Sequence, residues 1–268
     1  MHRKENRFSG GFPMMLDTIY REGVARIWAE DSSSQQNFVK IISDVRKMKC
    51  IDFKKINAFF VPNDDYVATY FPDEIRQPEY GFYNSDGLCF WNNCLLIPIF
   101  DVADNVRSVV GFNPFRYTEA KEKQDWSLNY YIYSPNSVFK KGSFLFYLEG
   151  VYKKALQDGY LFLTDGVFDA ISLASEGFNA AAMMGSSLTP EIVMLLRFIK
   201  HVLLVIDNDD AGIKLANSLQ RMHSGVTVVT QKHTKDVDDL LKGPFHDEAV
   251  RELHKAQNCC QKKFTLDL

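Results

Sequence analysis

Aspartate side chains follow three short apolar runs in the second half of the chain, and this spacing is typical of a site that binds metal ions and phosphate. Helical patterns lie between the runs, so the segment predicts a parallel α/β sheet with buried strands. The runs are 160–164, 202–206 and 226–230, and the carboxylates that follow them are Asp165 and Asp169, then Asp207, Asp209 and Asp210, then Asp236 and Asp238. Ligands of such sheets bind beyond the carboxyl ends of the strands. We therefore expect these carboxylates to meet at one edge of the sheet.

A structural role is the alternative for these residues. Asp and Gly are common at strand-to-helix turns and at helix N-caps, so a single acidic turn is more often structural than catalytic. Three such turns at one edge of a predicted sheet favour a functional site. Because neighbouring carboxylates repel one another, the site needs cations, and hard divalent ions such as Mg²⁺ with a phosphorylated substrate are its natural partners.

Helix signals between the runs agree with this placement. Thr189 precedes Pro190, which is the usual arrangement of an N-cap and a first helical turn. Asp209 or Asp210 could cap the next helix, and Asp210 is the better candidate for a cap or a supporting residue. Asp207 and Asp209 alternate along an extended segment, so both side chains are expected to face the same edge.

The rest of the chain predicts further elements around this α/β unit. Helical spacing predicts two helices over 14–29 and 37–48, separated by a polar linker at 31–36. Aromatic and β-branched runs that begin with 66–71 predict an antiparallel sheet up to residue 147. The expected organisation is an N-terminal helical segment (1–65), an α+β lobe (66–147), an α/β lobe (148–245) and a C-terminal helical tail (246–268).

Composition narrows the class of protein. With 268 residues and 46% apolar residues, the chain can bury one or two hydrophobic cores. It contains no run of about 18 apolar residues and no apolar segment after its basic start, so we expect a cytoplasmic protein that does not enter a membrane. The five cysteines form no C-x-x-C pair, which argues against a disulfide framework, and no zinc site is expected. The net charge of −3 includes the carboxylate cluster, whereas basic residues concentrate locally at 40–55 and 140–154.

The acidic motifs resemble those of a TOPRIM domain, and more narrowly the one in bacterial-type (DnaG-like) primases. The motifs that carry the resemblance are Asp165-Gly166-x-x-Asp169, the segment 177–188, Asp207-x-Asp209-x-Ala211-Gly212 and Asp236-x-Asp238. Segments similar to further landmarks of that family precede them in the expected order, at 95–101, 109–112, 133–136 and 139–142. The resemblance implies an α/β protein in which a TOPRIM-type parallel-sheet lobe packs on an N-terminal α+β lobe of mainly antiparallel strands.

The resemblance implies DNA primase activity, in which NTPs are joined into short RNA primers on a single-stranded DNA template. Two Mg²⁺ or Mn²⁺ ions would assist the nucleotidyl transfer. The implied catalytic residues are Asp165, Asp207 and Asp209, and the implied metal ligands are these three with Asp236 and, in support, Asp238. Nucleotide or template contacts are implied for Lys140, Lys141, Tyr131, Arg116, Gly166 and Gly185, and supporting roles for Asp169 and Asp210.

Several positions depart from the motifs of that family. Asp165 replaces a glutamate, so its side chain is shorter by one methylene group. Tyr130 replaces a lysine, Asn92 and Cys94 replace arginines, and 113–116 interrupts a glycine-rich turn. Two alternatives therefore stay open. One is a catalytically impaired TOPRIM protein that binds nucleic acid or a replisome partner, which the lost basic groups favour, and the other is a TOPRIM nuclease.

The implied partners follow from the parts of the family that the motifs do not cover. No zinc ribbon or helicase-binding domain is expected, so the sequence predicts a compact catalytic core. Such a core would depend on a replicative helicase or a single-strand-binding protein. The tail 246–268 repeats Ala249, Leu253 and Ala256 at helical spacing. This tail either docks the partner or packs back on the α/β lobe.

Overall fold

Residues 12–47, 52–185, 188–205, 210–229 and 237–264 are described by the computed structural model of the chain. The chain divides between Phe139 and Lys140 into two units, Met1–Phe139 and Lys140–Leu268. Each unit contains its own sheet and its own buried apolar side chains.

The first unit is built around an antiparallel sheet in the order β1-β2-β3-β4. Its elements are α1 (Phe12–Glu30), α2 (Ser32–Arg46), β1 (Phe59–Val61), α3 (Asp64–Tyr70), β2 (Cys94–Phe100), β3 (Val106–Phe112), α4 (Pro114–Lys123) and β4 (Tyr131–Tyr133), with 3₁₀ turns at Asp73–Arg76 and Pro78–Tyr80. Strand β2 is buried along its whole length. In β3, a Cβ on Gly111 would lie 2.8 Å from a ring carbon of Trp91, so glycine lets this buried indole pack against the sheet.

The run 66–71 is largely helical, so the strand predicted there is wrong. Asn63 caps α3, because its side-chain oxygen accepts a hydrogen bond from the backbone N–H of Asp65 at 3.2 Å. Asp64 and Asp65 lie in the first turn, where negative charge is favourable. The cap and the acidic first turn outweigh the strand-like pattern of aromatic and β-branched residues that follows.

The polar segment 31–36, predicted as a linker, contains the first turn of α2, which begins at Ser32. Gln35 in this turn is only 1% exposed. Its side-chain nitrogen donates to the carbonyl oxygen of Phe60 at 2.9 Å, and its side-chain oxygen accepts from the N–H of Phe60 at 2.8 Å. The amide therefore satisfies the backbone of β1, which explains why this polar residue is buried in a helix.

The second unit is an α/β fold with the strand order β5-β7-β6-β8-β9. Its elements are a 3₁₀ turn (Lys141–Ser143), β5 (Leu145–Tyr147), α5 (Val151–Asp158), β6 (Tyr160–Thr164), α6 (Val167–Ser175), β7 (Ala180–Met183), α7 (Pro190–Leu196), β8 (His201–Leu204), α8 (Asp210–Met222), β9 (Val226–Val228), α9 (Val237–Lys242) and α10 (His246–Phe264). Strands β6 to β9 pair in parallel, and β5 pairs antiparallel with β7. The predicted parallel α/β sheet is confirmed.

The division of the chain differs from the predicted boundary between residues 147 and 148. Strand β5 belongs to the sheet of the second unit, where Leu145 pairs with Met183. Residues 59–61, assigned to a helical segment from the sequence, form the outer strand β1 of the first sheet. The sequence pattern did not distinguish these short strands from the elements around them.

Helix α10 packs on the α/β unit through α9 and β8. Ala249 and Leu253 are 7% and 4% exposed, so this face of the tail belongs to the core of its own unit. Of the two roles left open for the tail, packing back is the one observed for these residues. None of the described helices is long and apolar enough to cross a membrane.

Candidate active site

The carboxyl end of β6 places Asp165 at the predicted edge of the sheet. Thr164, the last residue of β6, is fully buried, and its hydroxyl donates to the carbonyl oxygen of Gly166 at 3.1 Å. Asp165 follows directly and is exposed. On one side β6 pairs with β7, and on the other the backbone N–H of Val205 donates to the carbonyl oxygen of Leu163 at 2.8 Å. Asp165 therefore lies at the point where the carboxyl ends of the parallel strands meet.

Gly166 is required by the close approach of Asp169. A Cβ at Gly166 would lie 2.1 Å from a carboxylate oxygen of Asp169, so any side chain would displace this carboxylate. The other oxygen of Asp169 accepts a hydrogen bond from the backbone N–H of Asp238 at 2.9 Å. The predicted supporting role of Asp169 thus takes a specific form here: its carboxylate joins the first turn of α6 to the start of α9.

The carboxylate of Asp238 is engaged inside the protein. Asp238 is 1% exposed, and the hydroxyl of Ser172 on α6 donates to one of its oxygens at 2.5 Å. The other oxygen forms an ion pair with the ammonium group of Lys242, one turn further along α9. These contacts favour a structural role for Asp238, and its predicted role as a supporting metal ligand stays an untested prediction. The sequence analysis missed Ser172 and Lys242, although the spacing of Lys242 after Asp238 is a recognisable helical pair.

The remaining predicted metal ligands lie outside the described residues. These are Asp207, Asp209 and Asp236. Asp210 is the first residue of α8 and is exposed, as expected for an acidic residue in a first turn. Within the described ranges, no group of three or more His, Cys, Asp or Glu side chains could hold a metal ion.

Two exposed lysines lie on the turn that precedes β5. Because β5 runs antiparallel to β7 with Leu145 opposite Met183, the turn before β5 lies at the carboxyl end of β7, on the same edge as Asp165. The hydroxyl of Thr189 donates to the carbonyl oxygen of Gly142 at 2.6 Å and accepts from the N–H of Ile192 at 3.3 Å. The predicted cap of α7 is confirmed, and the same hydroxyl holds the turn that carries Lys140 and Lys141.

Glu191 and Gly185 lie near this turn. Hydrogen bonds from its own backbone amide and from Thr189 lower the pKa of Glu191, and the positive charge of nearby Lys140 acts in the same direction. Gly185 follows β7 and is exposed, and among the described atoms none lies within 4 Å of the position that a Cβ would take. Gly166 and Gly185 thus differ: the first is needed for packing, whereas the second leaves open space.

Tyr131 and Arg116 belong to the first unit. Tyr131 begins β4 and pairs with Phe112 in β3. Asn113 caps α4, because its side-chain oxygen accepts from the N–H of Arg116 at 3.0 Å, and Pro114 occupies the first turn. The guanidinium of Arg116 is exposed and donates to the carbonyl oxygen of Asn129 at 3.3 Å. The segment that interrupts the glycine-rich turn is therefore the start of a helix.

Known proteins are similar to this chain in sequence and in fold. Residues 162–241 match the Toprim-like family model. The DNA primase of Aquifex aeolicus is 36% identical to the chain over 166 residues, which are 59% of this chain and 31% of that protein. The RNA polymerase domain of Mycobacterium tuberculosis primase DnaG has a similar structure, with a TM-score of 0.69, 18% identity, and coverage of 89% of this chain and 82% of that chain. A DnaG primase catalytic domain bound to ssDNA is similar with a TM-score of 0.64, 20% identity, and coverage of 88% and 79%.

The extent of these similarities differs between sequence and structure. The chain spans between 15% and 33% of the length of the curated relatives that it matches. It covers 82% and 79% of the two DnaG domains with similar structures. The sequence similarity therefore concerns only part of those relatives.

Proposed function

We propose that this chain, which contains a Toprim-like domain and has the fold of the DnaG primase catalytic domain, synthesises short RNA primers on single-stranded DNA. The observation that supports this most is the position of Asp165, exposed at the carboxyl end of β6 within the Toprim-like segment. Lys140 and Lys141 lie at the same edge of the sheet, where phosphate groups of a nucleotide or template would need positive charge.

The reaction is the transfer of a nucleotide to a hydroxyl group. The 3′-hydroxyl of the growing primer forms a bond to the α-phosphorus of an NTP, the bond to the β-phosphate breaks, and pyrophosphate leaves. The proton of the hydroxyl must pass to a base. Asp165, an exposed carboxylate at this edge, accepts the proton or binds a metal ion. Lys140 and Lys141 hold phosphates. Arg116 and Tyr131 belong to the first unit, and their contacts to nucleotide or template stay predictions from the sequence.

The donor set fits divalent metal ions. Asp165, Asp207, Asp209 and Asp236 supply the oxygen ligands that Mg²⁺ and Mn²⁺ prefer. When bound, two such ions would orient the phosphates and balance the negative charge that develops during transfer. Asp169 and Asp238 hold α9 against α6, which fixes the helix that directly follows Asp236. Asp238 contributes through this positioning.

The substrates and partners of the proposed reaction are single-stranded DNA, NTPs and a replication protein. The similar DnaG catalytic domain was solved bound to ssDNA, which supports a DNA template for this chain. The few lysines at the sheet edge would give weak, salt-dependent binding of template. We therefore expect stimulation by a replicative helicase or a single-strand-binding protein.

Incorporation of labelled NTPs on a single-stranded DNA template tests the proposal. Wild-type chain should make short RNA with Mg²⁺ or Mn²⁺ and none with EDTA. Asp207→Ala or Asp209→Ala should abolish incorporation while leaving the thermal unfolding temperature nearly unchanged, because removing one of several repelling carboxylates does not harm the fold. Primer synthesis at the wild-type level by either variant would contradict the metal-dependent mechanism.

A catalytically impaired protein that binds nucleic acid is the second candidate. The residues Asn92, Cys94 and Tyr130, which stand where basic groups are expected, favour it. This candidate predicts DNA binding without incorporation under any metal condition. A nuclease, by contrast, would shorten the labelled template in the same assay.

A further inference from the structure

Three aromatic side chains form a cluster on the surface of the first unit. Tyr117 in α4, Trp126 in the following loop and Tyr130 before β4 make up this aromatic cluster. The ring centroids of Tyr117 and Tyr130 are 5.3 Å apart, and Trp126 lies 6.4 Å from each of them. Trp126 is 55% exposed, whereas the two other tryptophans, Trp28 and Trp91, are 8% and 0% exposed. A large indole face thus remains open to solvent at this cluster.

A buried ring and a guanidinium group of the first unit pack against the cluster. Phe112, which is fully buried in β3, contacts both Tyr117 and Tyr130 at centroid distances of 5.6 and 6.4 Å. The guanidinium of Arg46 at the end of α2 lies 4.8 Å from the ring centroid of Tyr117, a cation–π contact. These contacts position the rings of Tyr117 and Tyr130 before any ligand binds, which lowers the entropic cost of binding.

Amide side chains line a cavity beside the cluster. The cavity has a volume of about 460 Å³, and its lining consists of Asn92, Asn93, Asn113, Phe115, Arg116 and Glu119. The backbone N–H of Asn113 donates to the carbonyl oxygen of Tyr130 at 2.8 Å, which connects this cavity to the cluster. The amide of Asn113 is engaged inside the protein, because its oxygen accepts from the N–H of Arg116 and its nitrogen donates to the carbonyl oxygen of Asn92.

The charges within the segment that carries the cluster are balanced, and Arg46 beside Tyr117 adds one positive charge. The segment 114–130 contains three basic residues, Arg116, Lys121 and Lys123, and three acidic residues, Glu119, Glu122 and Asp125. A ligand that depends on phosphate contacts finds little net attraction here. A ligand with a flat ring fits the exposed indole of Trp126.

We propose that the aromatic cluster of Tyr117, Trp126 and Tyr130 is a stacking site for an unpaired base of single-stranded DNA. This inference rests on the proposed function for its choice of ligand. Bases of any sequence stack on aromatic side chains. Removal of one such side chain weakens binding by about tenfold. The site would add affinity for template in a chain where several expected basic groups are replaced.

The exposed indole gives a direct measurement of binding. Full-length chain with EDTA and without NTPs is titrated with oligo(dT) and with an abasic strand of the same length. Because Trp28 and Trp91 are buried, a change in tryptophan fluorescence reports mainly on Trp126. Oligo(dT) should quench this fluorescence, and the abasic strand should not. Equal quenching by both strands, or none by oligo(dT), would overturn the proposal.

Variants separate stacking from other causes of affinity. By anisotropy of labelled oligo(dT), Trp126→Ala should bind about tenfold more weakly, and Trp126→Phe should keep most of the affinity because a ring remains. The ratio between wild type and Trp126→Ala should not change with salt, since stacking releases few counterions. Phe198→Ala, which removes another exposed ring (68% exposed) in the second unit, is the matched control and should bind like wild type.

The outcomes also separate this inference from the proposed function. Base-dependent quenching in a chain that incorporates no NTPs would support the stacking site and contradict primer synthesis. NTP incorporation together with unchanged affinity of Trp126→Ala would support primer synthesis and overturn the stacking site. If Trp126→Ala also lost affinity for the abasic strand, this result would likewise count against base stacking.

Discussion

Asp165 combines an exposed position with an unusual side-chain length. The resemblance to DnaG-like primases implies a glutamate here, and the aspartate is shorter by one methylene group. Asp169, the next carboxylate along the chain after Asp165, accepts a hydrogen bond from the backbone N–H of Asp238. The chemistry at this edge of the sheet therefore depends on which groups the shorter side chain of Asp165 can contact.

Substitutions at Asp165 test this dependence. Asp165→Asn keeps the size but removes the charge, so it should abolish NTP incorporation. Asp165→Glu should keep or raise activity, with a changed preference between Mg²⁺ and Mn²⁺, because it restores the longer reach. Asp86→Asn, at an exposed turn of the first unit, is the control for loss of one charge. Full activity of Asp165→Asn would mean that Asp165 has only a structural role in the turn after β6.

Gly166 is a residue at which packing leaves little room for a side chain. In Gly166→Ala the new methyl group would collide with the carboxylate of Asp169, which lies 2.1 Å from the Cβ position. We expect a loss of about 1–3 kcal/mol in the free energy of unfolding, measured with urea. Gly185→Ala is the control, since a methyl group there meets open space among the described atoms, and it should change stability little. Equal stability of both variants would mean that Asp169 can move without cost.

At the scale of elements, a buried polar network joins helices α6 and α9. Ser172 and Asp169 on α6 reach the side chain and backbone of Asp238, and Lys242 balances its charge. Lys242→Met would leave the carboxylate of Asp238 buried without its cation, which should cost about 3–5 kcal/mol of unfolding free energy. The double variant Lys242→Met with Asp238→Asn should recover part of this loss.

An exposed pair supplies the comparison for this network. Lys255 and Glu252 on α10 form an ion pair at 2.6 Å with side chains 69% and 50% exposed. Lys255→Met should therefore cost no more than about 1 kcal/mol. If Lys242→Met were as mild as Lys255→Met, the pair with Asp238 would not be a determinant of stability.

The elements that could be predicted from the sequence are those with local signals. The apolar run 160–164 is β6 with the predicted bounds, and Thr189 with Pro190 begins α7 as expected. The strand predicted at 66–71 is wrong because the cap at Asn63 decided the local structure. The position of Asp165 followed from its strand. The engagement of Asp238 did not, because Ser172 lies 66 residues away along the chain.

At the scale of the whole molecule, each unit contains the strands that it needs. Strands β1 to β4 belong to Met1–Phe139, and β5 to β9 belong to Lys140–Leu268. The segment 140–147 decides where the second unit begins. Leu145, Phe146 and Tyr147 are 0%, 0% and 2% exposed, although they form only a short antiparallel strand at the edge of the sheet.

Two fragments of the second unit should therefore behave differently. A fragment of residues 140–268 keeps β5 and should unfold cooperatively with urea, as followed by circular dichroism. A fragment of residues 148–268, cut at the boundary predicted from the sequence, loses three buried side chains that contribute about 5–9 kcal/mol. This is most of the stability of a typical domain, about 5–15 kcal/mol, so the shorter fragment should be unfolded or aggregated. Cooperative unfolding of 148–268 at the same urea concentration as 140–268 would show that β5 is dispensable. Failure of both fragments to fold would instead show that the second unit depends on the first for its stability.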